Sequence, residues 1–260
     1  MKFKDLRKTT NKTIFPFVVC FLLFFSCGIE DYPYLYPVPA GNIRRELNTK
    51  VEIQIPDDNS TNNYFTHFVI YYKIYISDAS DAIVEIPSTS NFFIINSTLA
   101  SDYNQISPYI SNSSMGGSSI PNLFRNRNYY PLKLENGDID LILSNSVLNR
   151  KLIINFGSNR NPYLVLDVDS GTGGNDLLRN SSAGFQLMPD GYFVNSNDIR
   201  NPNYINAANI NNDVADKPNA SPSNSYVAMF IVATGFDSRT YAGLYSSPNF
   251  VGVFKLPDNL

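Results

Sequence analysis

Residues 65–77 read Phe-Thr-His-Phe-Val-Ile-Tyr-Tyr-Lys-Ile-Tyr-Ile-Ser and form the strongest β-strand signal in the chain. Large apolar side chains recur at every second position, which is the period of a strand that buries one face. This apolar face comprises Phe68, Ile70, Tyr72, Ile74 and Ile76. The opposite face is amphipathic and comprises Val69, Tyr71, Lys73 and Tyr75. The stretch therefore predicts a strand that packs against a core through its even-numbered residues.

Further strand signals lie on both sides of this run, separated by turns rich in Asn, Gly, Ser and Pro. They cover residues 51–55, 92–95, 129–134, 139–143, 151–156, 163–168, 192–194, 226–234 and 250–256. No segment combines a helical period with helix caps. Two polar stretches, 107–122 and 195–225, bury little apolar surface against their backbone entropy and are predicted to be loops. Many short strands predict an all-β protein, built as a sandwich or a barrel.

Four segments resemble strands of a fibronectin type III-like domain. Residues 65–77 resemble strand C, residues 226–233 resemble strand F, and residues 245–256 resemble strand G with its approach. Residues 51–55 then correspond to strand B. The resemblance implies a fibronectin type III/immunoglobulin-like sandwich over residues 49–260.

Two features depart from that family. The Trp that is common in strand B is missing, because the chain contains no Trp. Residues 78–225, between the segments that resemble strands C and F, span about four times the length that the fold needs there. They form either a large, loop-rich β insertion or an extension of the sandwich itself.

Residues 1–26 have the parts of a secretory signal peptide. Residues 1–12 carry a net charge of +4, whereas residues 14–25 are mostly apolar and contain no charged side chain. The apolar run is shorter than the roughly 20 residues that a membrane-spanning helix requires. The small residues Ser26, Cys27 and Gly28 follow it.

The sequence around Cys27 resembles a bacterial lipobox, in which the cysteine receives a diacylglyceryl thioether and becomes the new N-terminus. Phe24 and Phe25 depart from the common motif and are similar to the looser pattern of spirochaete lipoproteins. Cys20 is the poorer candidate, because processing at Cys20 would cut the apolar run in half. A mature chain that begins at Cys27 contains a single cysteine, and lipidation gives that odd cysteine a purpose. The alternative is an ordinary signal peptide that is cleaved nearby.

Residues 27–48 lead from this cysteine into the body of the chain. Pro and Tyr alternate in residues 32–39, which favours an extended backbone. The stretch is either a semi-rigid tether or the first strand of the sandwich, in which Tyr32, Tyr34 and Tyr36 would share one face. The start of the mature chain also resembles the N-termini of uncharacterised treponemal-type lipoproteins.

The composition excludes several kinds of site. The 260 residues include 33 Asn, one His (His67) and two Cys. This removes Cys/His zinc sites, multi-histidine iron centres and catalytic pairs that need a second His. Beyond residue 12 the chain carries 15 basic and 22 acidic side chains. An acidic chain without basic runs does not favour nucleic-acid binding.

Few residues are candidates for a binding site. Asp167 and Asp169 offer the oxygen ligands that Ca²⁺ prefers, although a hairpin turn explains the same Gly-rich stretch. His67 is expected to be structural, because nothing near it in the sequence would make it catalytic.

The 17 Tyr are the most unusual feature of the composition. Tyr71, Tyr75, Tyr241 and Tyr245 are the candidates for a ligand-facing surface, since Tyr offers a large contact area at low entropy cost. The alternative is that Tyr fills the core and covers the sheets of a chain that lacks Trp.

These features predict a lipid-anchored protein of the bacterial outer membrane, with no cofactor and no catalytic activity. It would act as a binding or structural module, with the membrane as a partner through its anchor and a protein or a glycan as ligand. One alternative is a carbohydrate-binding or carbohydrate-processing protein that uses Tyr, Asn and an Asp pair. Another is an envelope-assembly subunit whose long loops dock a partner. A lipid anchor is compatible with a domain on either the periplasmic or the external face of the outer membrane.

Overall fold

The structure is a computed structural model and describes eleven segments of the chain. They are residues 33–46, 49–77, 82–86, 91–95, 97–110, 117–134, 143–157, 162–168, 173–179, 214–215 and 224–256. The signal peptide, Cys20, Cys27, Asp169, the strand predicted at 192–194 and most of the loop predicted at 195–225 lie outside them. The described residues are mostly β-strands with few helices, which confirms the all-β prediction.

The first sheet has six strands, and every neighbouring pair is antiparallel. Its strands are β1 (Ile43–Glu46), β2 (Lys50–Gln54), β7 (Lys133–Leu134), β8 (Lys151–Asn155), β9 (Tyr163–Leu166) and β10 (Asn175–Leu178). Their order across the sheet is β1-β2-β8-β9-β10-β7. Residues 133–178 supply four of these strands, so this part of the segment 78–225 extends the sandwich. The described residues from Tyr34 onward belong to one compact unit.

The second sheet is built around its two longest strands, β3 (Phe65–Ser77) and β12 (Asn224–Asp237), which pair antiparallel. The other side of β12 pairs with β14 (Asn249–Lys255) and then with β13 (Ala242–Tyr245). The other side of β3 contacts two short strands: β6 (Tyr130–Pro131), which is antiparallel, and β11 (Val214–Ala215), which is parallel. The strand predicted over residues 65–77 is confirmed with the same limits.

A hairpin and two helices complete the described elements. The hairpin joins β4 (Ala82–Ile86) to β5 (Asn91–Ile95), and the helices are α1 (Ser97–Ile106) and α2 (Ile120–Arg125). Single 3₁₀ turns lie at Ala40–Asn42, Ser107–Tyr109 and Asn145–Val147.

Two segments form helices, although no segment of the sequence combines a helical period with helix caps. Helix α1 buries Leu99, Asp102 and Ile106, so its buried face contains a charged residue and gives a weak apolar signal. Helix α2 buries three apolar residues and has a Pro in its first turn, where Pro is tolerated. It begins inside the stretch 107–122 that the composition predicts to be a loop, and that prediction is wrong for its last residues.

The main core lies between the two sheets. The even-numbered side chains of β3 point into it, as the alternation predicts, and they are fully buried: Phe68, Ile70, Tyr72 and Ile74. The first sheet contributes Val51, Ile53, Leu152, Ile154, Leu164 and Leu177. The two sheets therefore pack together through the alternate apolar side chains of their strands.

The second sheet is covered on both faces. Alternate residues of β12 lie in the main core, and the residues between them pack under the helices with Leu99 and Phe124. A strand that is covered on both faces needs apolar residues at every position, which explains the unbroken apolar run at 226–233. The second face of β3 is covered only in part. Lys73 and Tyr75 are buried on it, whereas Val69 and Tyr71 are partly buried.

Residues 33–39 form no strand, and the first strand begins only at Ile43. The first-strand interpretation of the Pro/Tyr stretch is wrong for these residues. They do not form a semi-rigid tether that stands free of the domain either, because Leu35 and Val38 are buried in the main core.

Arg45 links one edge of each sheet. From β1 it donates hydrogen bonds to the carbonyl oxygens of Phe250 and Val251 on β14. Burial of the guanidinium lowers the pKa of Arg45 to about 10. Among the described residues, no helix is long and apolar enough to cross a membrane.

Candidate functional site

Four segments that are distant in the sequence meet at one end of the sandwich. They are the lead-in segment (residues 34–38), the β2–β3 loop (55–64), the connection before β8 (143–150) and the tip of the β12–β13 hairpin (237–241). The N–H of Phe236 donates to the carbonyl of Tyr64 at 2.9 Å, and the N–H of Ile55 donates to the carbonyl of Arg150 at 2.9 Å. These bonds tie both sheets to the same loop.

Asparagine side chains hold the lead-in segment in place. The amide of Asn59, which is buried, accepts from the N–H of Tyr36 at 3.0 Å and donates to its carbonyl at 2.8 Å. Asn62 donates to the carbonyl of Tyr34 at 2.6 Å, and Asn249 donates to that of Val38 at 2.7 Å. A side-chain amide presents the same donor and acceptor as a peptide group. The three Asn therefore replace the neighbouring strand that this extended segment lacks.

The hairpin at this end rests on a β-bulge. Thr234 pairs with His67 and Gly235 pairs with Phe65, so Thr66 is the extra residue. The Thr66 hydroxyl donates to the carbonyl of Thr234 at 3.1 Å and replaces the missing ladder bond. Bulges increase the local twist of a strand, and this one lies directly before the hairpin tip.

Large apolar side chains are exposed at this end. Tyr241 at the hairpin tip is 83% exposed and Phe236 is 46% exposed, with ring centroids 6.3 Å apart. Tyr36 of the lead-in segment is 47% exposed, and Val168, which follows β9, is 73% exposed. All four are large hydrophobic residues that are open to solvent. We term this surface the aromatic end.

The basic side chains nearest the hairpin and the end of β9 are paired with carboxylates. Arg239 lies 3.2 Å from Asp237, and Arg150 lies 2.8 Å from Asp167. The backbone N–H of Arg239 lowers the pKa of Asp237, and the Arg150 guanidinium lowers the pKa of Asp167. These carboxylates balance the charges of Arg239 and Arg150 beside the exposed hydrophobic side chains.

A second cluster of polar groups is buried between β3 and α1. Lys73 Nζ lies 2.5 Å from Asp102 Oδ2, and the Tyr75 hydroxyl donates to the same oxygen at 2.7 Å. The Tyr129 hydroxyl lies 2.8 Å from that of Tyr75 and donates to it, because Tyr75 has committed its own hydrogen. The Lys73 ammonium also lies 5.2 Å from the centroid of the Tyr75 ring.

This cluster is closed to solvent. Each of the four residues exposes less than a tenth of its surface. Burial raises the pKa values of both Tyr75 and Tyr129, with the neighbouring hydroxyl and Asp102 adding to the effect at Tyr75. The carboxylate, the ammonium and the hydroxyls satisfy one another, which is typical of a structural polar network.

The four predicted ligand-facing Tyr do not form one surface. Tyr241 is exposed at the hairpin tip, whereas Tyr75 is 1% exposed and its prediction as a ligand-facing residue is wrong. Tyr71 is half-buried, with its ring stacked on Phe124 at 4.3 Å, and burial raises its pKa to about 12. Tyr245 is half-buried beside Tyr71. The reason is that helices α1 and α2, which we term the helical layer, pack against the face of β3 that carries Tyr71 and Tyr75.

The other candidate residues have structural surroundings. Asp167 has a positive φ at the start of the β9–β10 connection, and its carboxylate accepts hydrogen bonds from Arg150 and from the backbone of Lys151. The Asp167 carboxylate is therefore engaged by Arg150 and Lys151, and β9 and β10 form an antiparallel pair. The ring of His67 lies 3.1 Å from the hydroxyl of Thr66. Within the described segments, no group of three His, Cys, Asp or Glu side chains could hold a metal ion.

Sequence reasoning missed Tyr36, Phe236 and Val168 as surface residues and Lys73 as a buried charge. Lys73 gave a signal, because it is the only charged residue in the apolar run 65–77. The aromatic end gave none, since it forms only when distant segments meet.

Comparison with known proteins gives no relative. No protein-family model, no curated protein and no solved structure matches the chain.

Proposed function

We propose that this chain is a lipid-anchored module of a bacterial outer membrane that acts by binding or as a structural element, without catalysis. Cys27 is the attachment site, and the preceding residues are the signal peptide. One structural observation carries the proposal: the chain joins the sandwich at Tyr34, only seven residues after Cys27, through a segment that is buried at Leu35 and Val38. An anchor at this distance would hold the folded domain directly at the lipid surface.

We further propose that the sandwich is of the fibronectin type III kind. Strands C, F and G of that fold are neighbours in one sheet, and strand B lies in the other. Here β3, β12 and β14 are antiparallel neighbours, and β2 belongs to the opposite sheet. The six-stranded first sheet and the helical layer depart from that pattern.

Metabolic labelling with palmitate tests the anchor. The wild-type chain, expressed in a bacterium with lipoprotein processing, should incorporate label into the mature protein. Cys27→Ala should abolish the incorporation, whereas Cys20→Ala is the matched control and should retain it. Label that persists in the Cys27→Ala protein would refute the assignment.

The absence of catalysis is tested separately. The polar cluster around Lys73 and Asp102 is closed to solvent and internally satisfied, which supports a structural role. Purified protein should leave a panel of glycans, peptides and phosphoesters unchanged. Turnover of any of them would contradict this part of the proposal.

Carbohydrate binding is the second candidate function, and the exposed pair of Phe236 and Tyr241 favours it. Exposed aromatic rings offer apolar contact area that a sugar ring can cover. On a glycan array, Tyr241→Ala should then lose binding, and Tyr245→Ala, at a half-buried position, should lose less. A glycan that binds wild type and Tyr241→Ala equally would argue against this candidate.

A further inference from the structure

The structure carries an inference about the orientation of the anchored domain, which rests on the proposed lipid attachment at Cys27. We infer that the aromatic end is a membrane-contact surface: Tyr36, Phe236, Tyr241 and Val168 lie in the interfacial layer of the bilayer that holds the anchor. The contact fixes the orientation of the domain, while the acyl chains supply most of the affinity.

The connection between Cys27 and the folded domain is short. Six residues, 28–33, separate Cys27 from Tyr34. A fully extended chain covers about 3.5 Å per residue, so Tyr34 must lie within roughly 25 Å of the cysteine. The opposite end of the sandwich is too far away for such contact, because β12 alone spans roughly 45 Å at the usual rise of a strand.

The lead-in segment starts at the aromatic end of the domain. Tyr34 is held by Asn62 in the β2–β3 loop, whereas Val38 is held deeper in the fold by Asn249 on β14. Leu35 lies against Gly235, immediately before the hairpin that presents Phe236 and Tyr241. The chain therefore enters the domain at the aromatic end and runs away from it.

The chemistry of the exposed residues carries the third step. Tyr is enriched at both interfaces of a bilayer, where its ring contacts the apolar layer and its hydroxyl stays hydrated. The end combines two exposed Tyr, one Phe and one Val. Grouped apolar side chains that remain in contact with water mark a surface that another partner covers.

The charges favour a lipid surface without net charge. The basic groups Arg239 and Arg150 lie against Asp237 and Asp167, and the neighbouring loop exposes Asp57 and Asp58. Coulombic attraction to anionic lipid therefore contributes little. The contact should form on phosphatidylcholine and should not weaken as the salt concentration rises.

The lack of Trp in this chain makes the test selective, because one introduced Trp is the sole indole. The full acylated chain carrying Tyr241→Trp would be reconstituted into phosphatidylcholine vesicles whose acyl chains are brominated. Its fluorescence should be quenched about twofold or more relative to the same variant in unbrominated vesicles, because interfacial groups lie within about 10 Å of the acyl boundary. Tyr226→Trp, on the same strand at the opposite end, is the matched control and should show no such quenching.

A second reporter and a removal variant complete the test. Phe236→Trp should show the same quenching, so the result does not depend on one substitution. Adding Tyr36→Ser and Phe236→Ser to the Tyr241→Trp variant should reduce quenching and leave vesicle flotation unchanged. Melting temperatures establish that each variant is folded.

Flotation separates the two proposals. If the wild-type chain floats with vesicles but neither reporter at the aromatic end is quenched beyond the Tyr226→Trp control, the orientation is refuted and the anchor stands. If the chain does not float, the anchor itself fails and the orientation fails with it. Shielding of the Tyr241→Trp reporter by a soluble glycan instead of by brominated lipid would refute the membrane contact in favour of the second candidate function.

Discussion

Lys73 Nζ lies 2.5 Å from Asp102 Oδ2, and this buried ion pair joins the central strand β3 to helix α1. Taking two charges out of water is costly, and their attraction repays that cost only with good geometry and further hydrogen bonds. Here the Tyr75 hydroxyl supplies one of those bonds. The pair therefore fixes where α1 docks, and it matters most when one partner is removed.

Asp102→Asn should destabilise the protein by about 3–5 kcal/mol, because it leaves the Lys73 charge buried without its counter-charge. Chemical denaturation of wild type and variant measures the difference in the free energy of unfolding. The same change at the exposed pair, Asp167→Asn, is the matched control and should cost at most about 1 kcal/mol. Equal losses in the two variants would contradict a special role for the buried pair.

The same pair shows where prediction from the sequence stops. The alternation at 65–77 predicted the limits of β3 and its core face, since a strand exposes its period directly. It could not show that a helix covers the other face. Helix α1 buries Asp102 beside Leu99 and Ile106, and the partner that makes this burial tolerable, Lys73, is 29 residues away.

The aromatic end was not predictable for a related reason. Tyr241 was predicted to be ligand-facing, but the same argument also selected Tyr75, which is buried. Composition reports that Tyr is abundant and not which Tyr remain exposed. That depends on the helical layer and on the convergence of the lead-in segment with the hairpin.

Alkaline pH should destabilise the fold. Burial raises the pKa values of Tyr75 and Tyr129, and it raises that of Tyr71 to about 12, whereas the unfolded chain has the ordinary value of about 10. Above that pH the unfolded state loses protons that the folded state keeps, so the free energy of unfolding falls as pH rises. This stabilising contribution is fully present below about pH 9.

Denaturation midpoints measured from neutral pH to about pH 11 check this slope. Tyr75→Phe removes one of the contributing groups, so its stability should fall less steeply with pH than that of wild type. Ultraviolet absorbance should show the tyrosinate signal of the buried residues Tyr71, Tyr75 and Tyr129 only as the protein unfolds. A free energy of unfolding that stays constant across this range would contradict the prediction.

Asn59→Ala should loosen the lead-in segment. The change removes both hydrogen bonds to the backbone of Tyr36 at a buried position, which should cost about 1–3 kcal/mol. Limited proteolysis should then cut first within residues 34–38. Asn42→Ala, which removes a solvent-exposed hydrogen bond to the carbonyl of Gln54, is the matched control and should change stability by no more than about 0.5 kcal/mol. Proteolysis at the same sites and rates as in wild type would argue against this role of Asn59.

Gly235→Ala should distort the aromatic end from within. A Cβ at this position would collide with the carbonyl oxygen of Tyr64 and lie 2.9 Å from its carbonyl carbon, and Leu35 is 3.1 Å away. Backbone atoms cannot turn aside as a flexible side chain can, so the strand must move away from the loop. Overpacking of this kind costs about 1–3 kcal/mol, which chemical denaturation measures.

The matched control for this change is Gly41→Ala, where a Cβ would meet nothing within 4 Å. That substitution should be neutral or stabilise the protein by up to about 1 kcal/mol, because Ala restricts the unfolded chain. The N–H of Phe236 donates to the same Tyr64 carbonyl, so Gly235→Ala should also move the ring pair at the hairpin. If Gly235→Ala were as stable as Gly41→Ala, the close packing of the hairpin on the loop would be wrong, and the rigid placement of Phe236 and Tyr241 would fall with it.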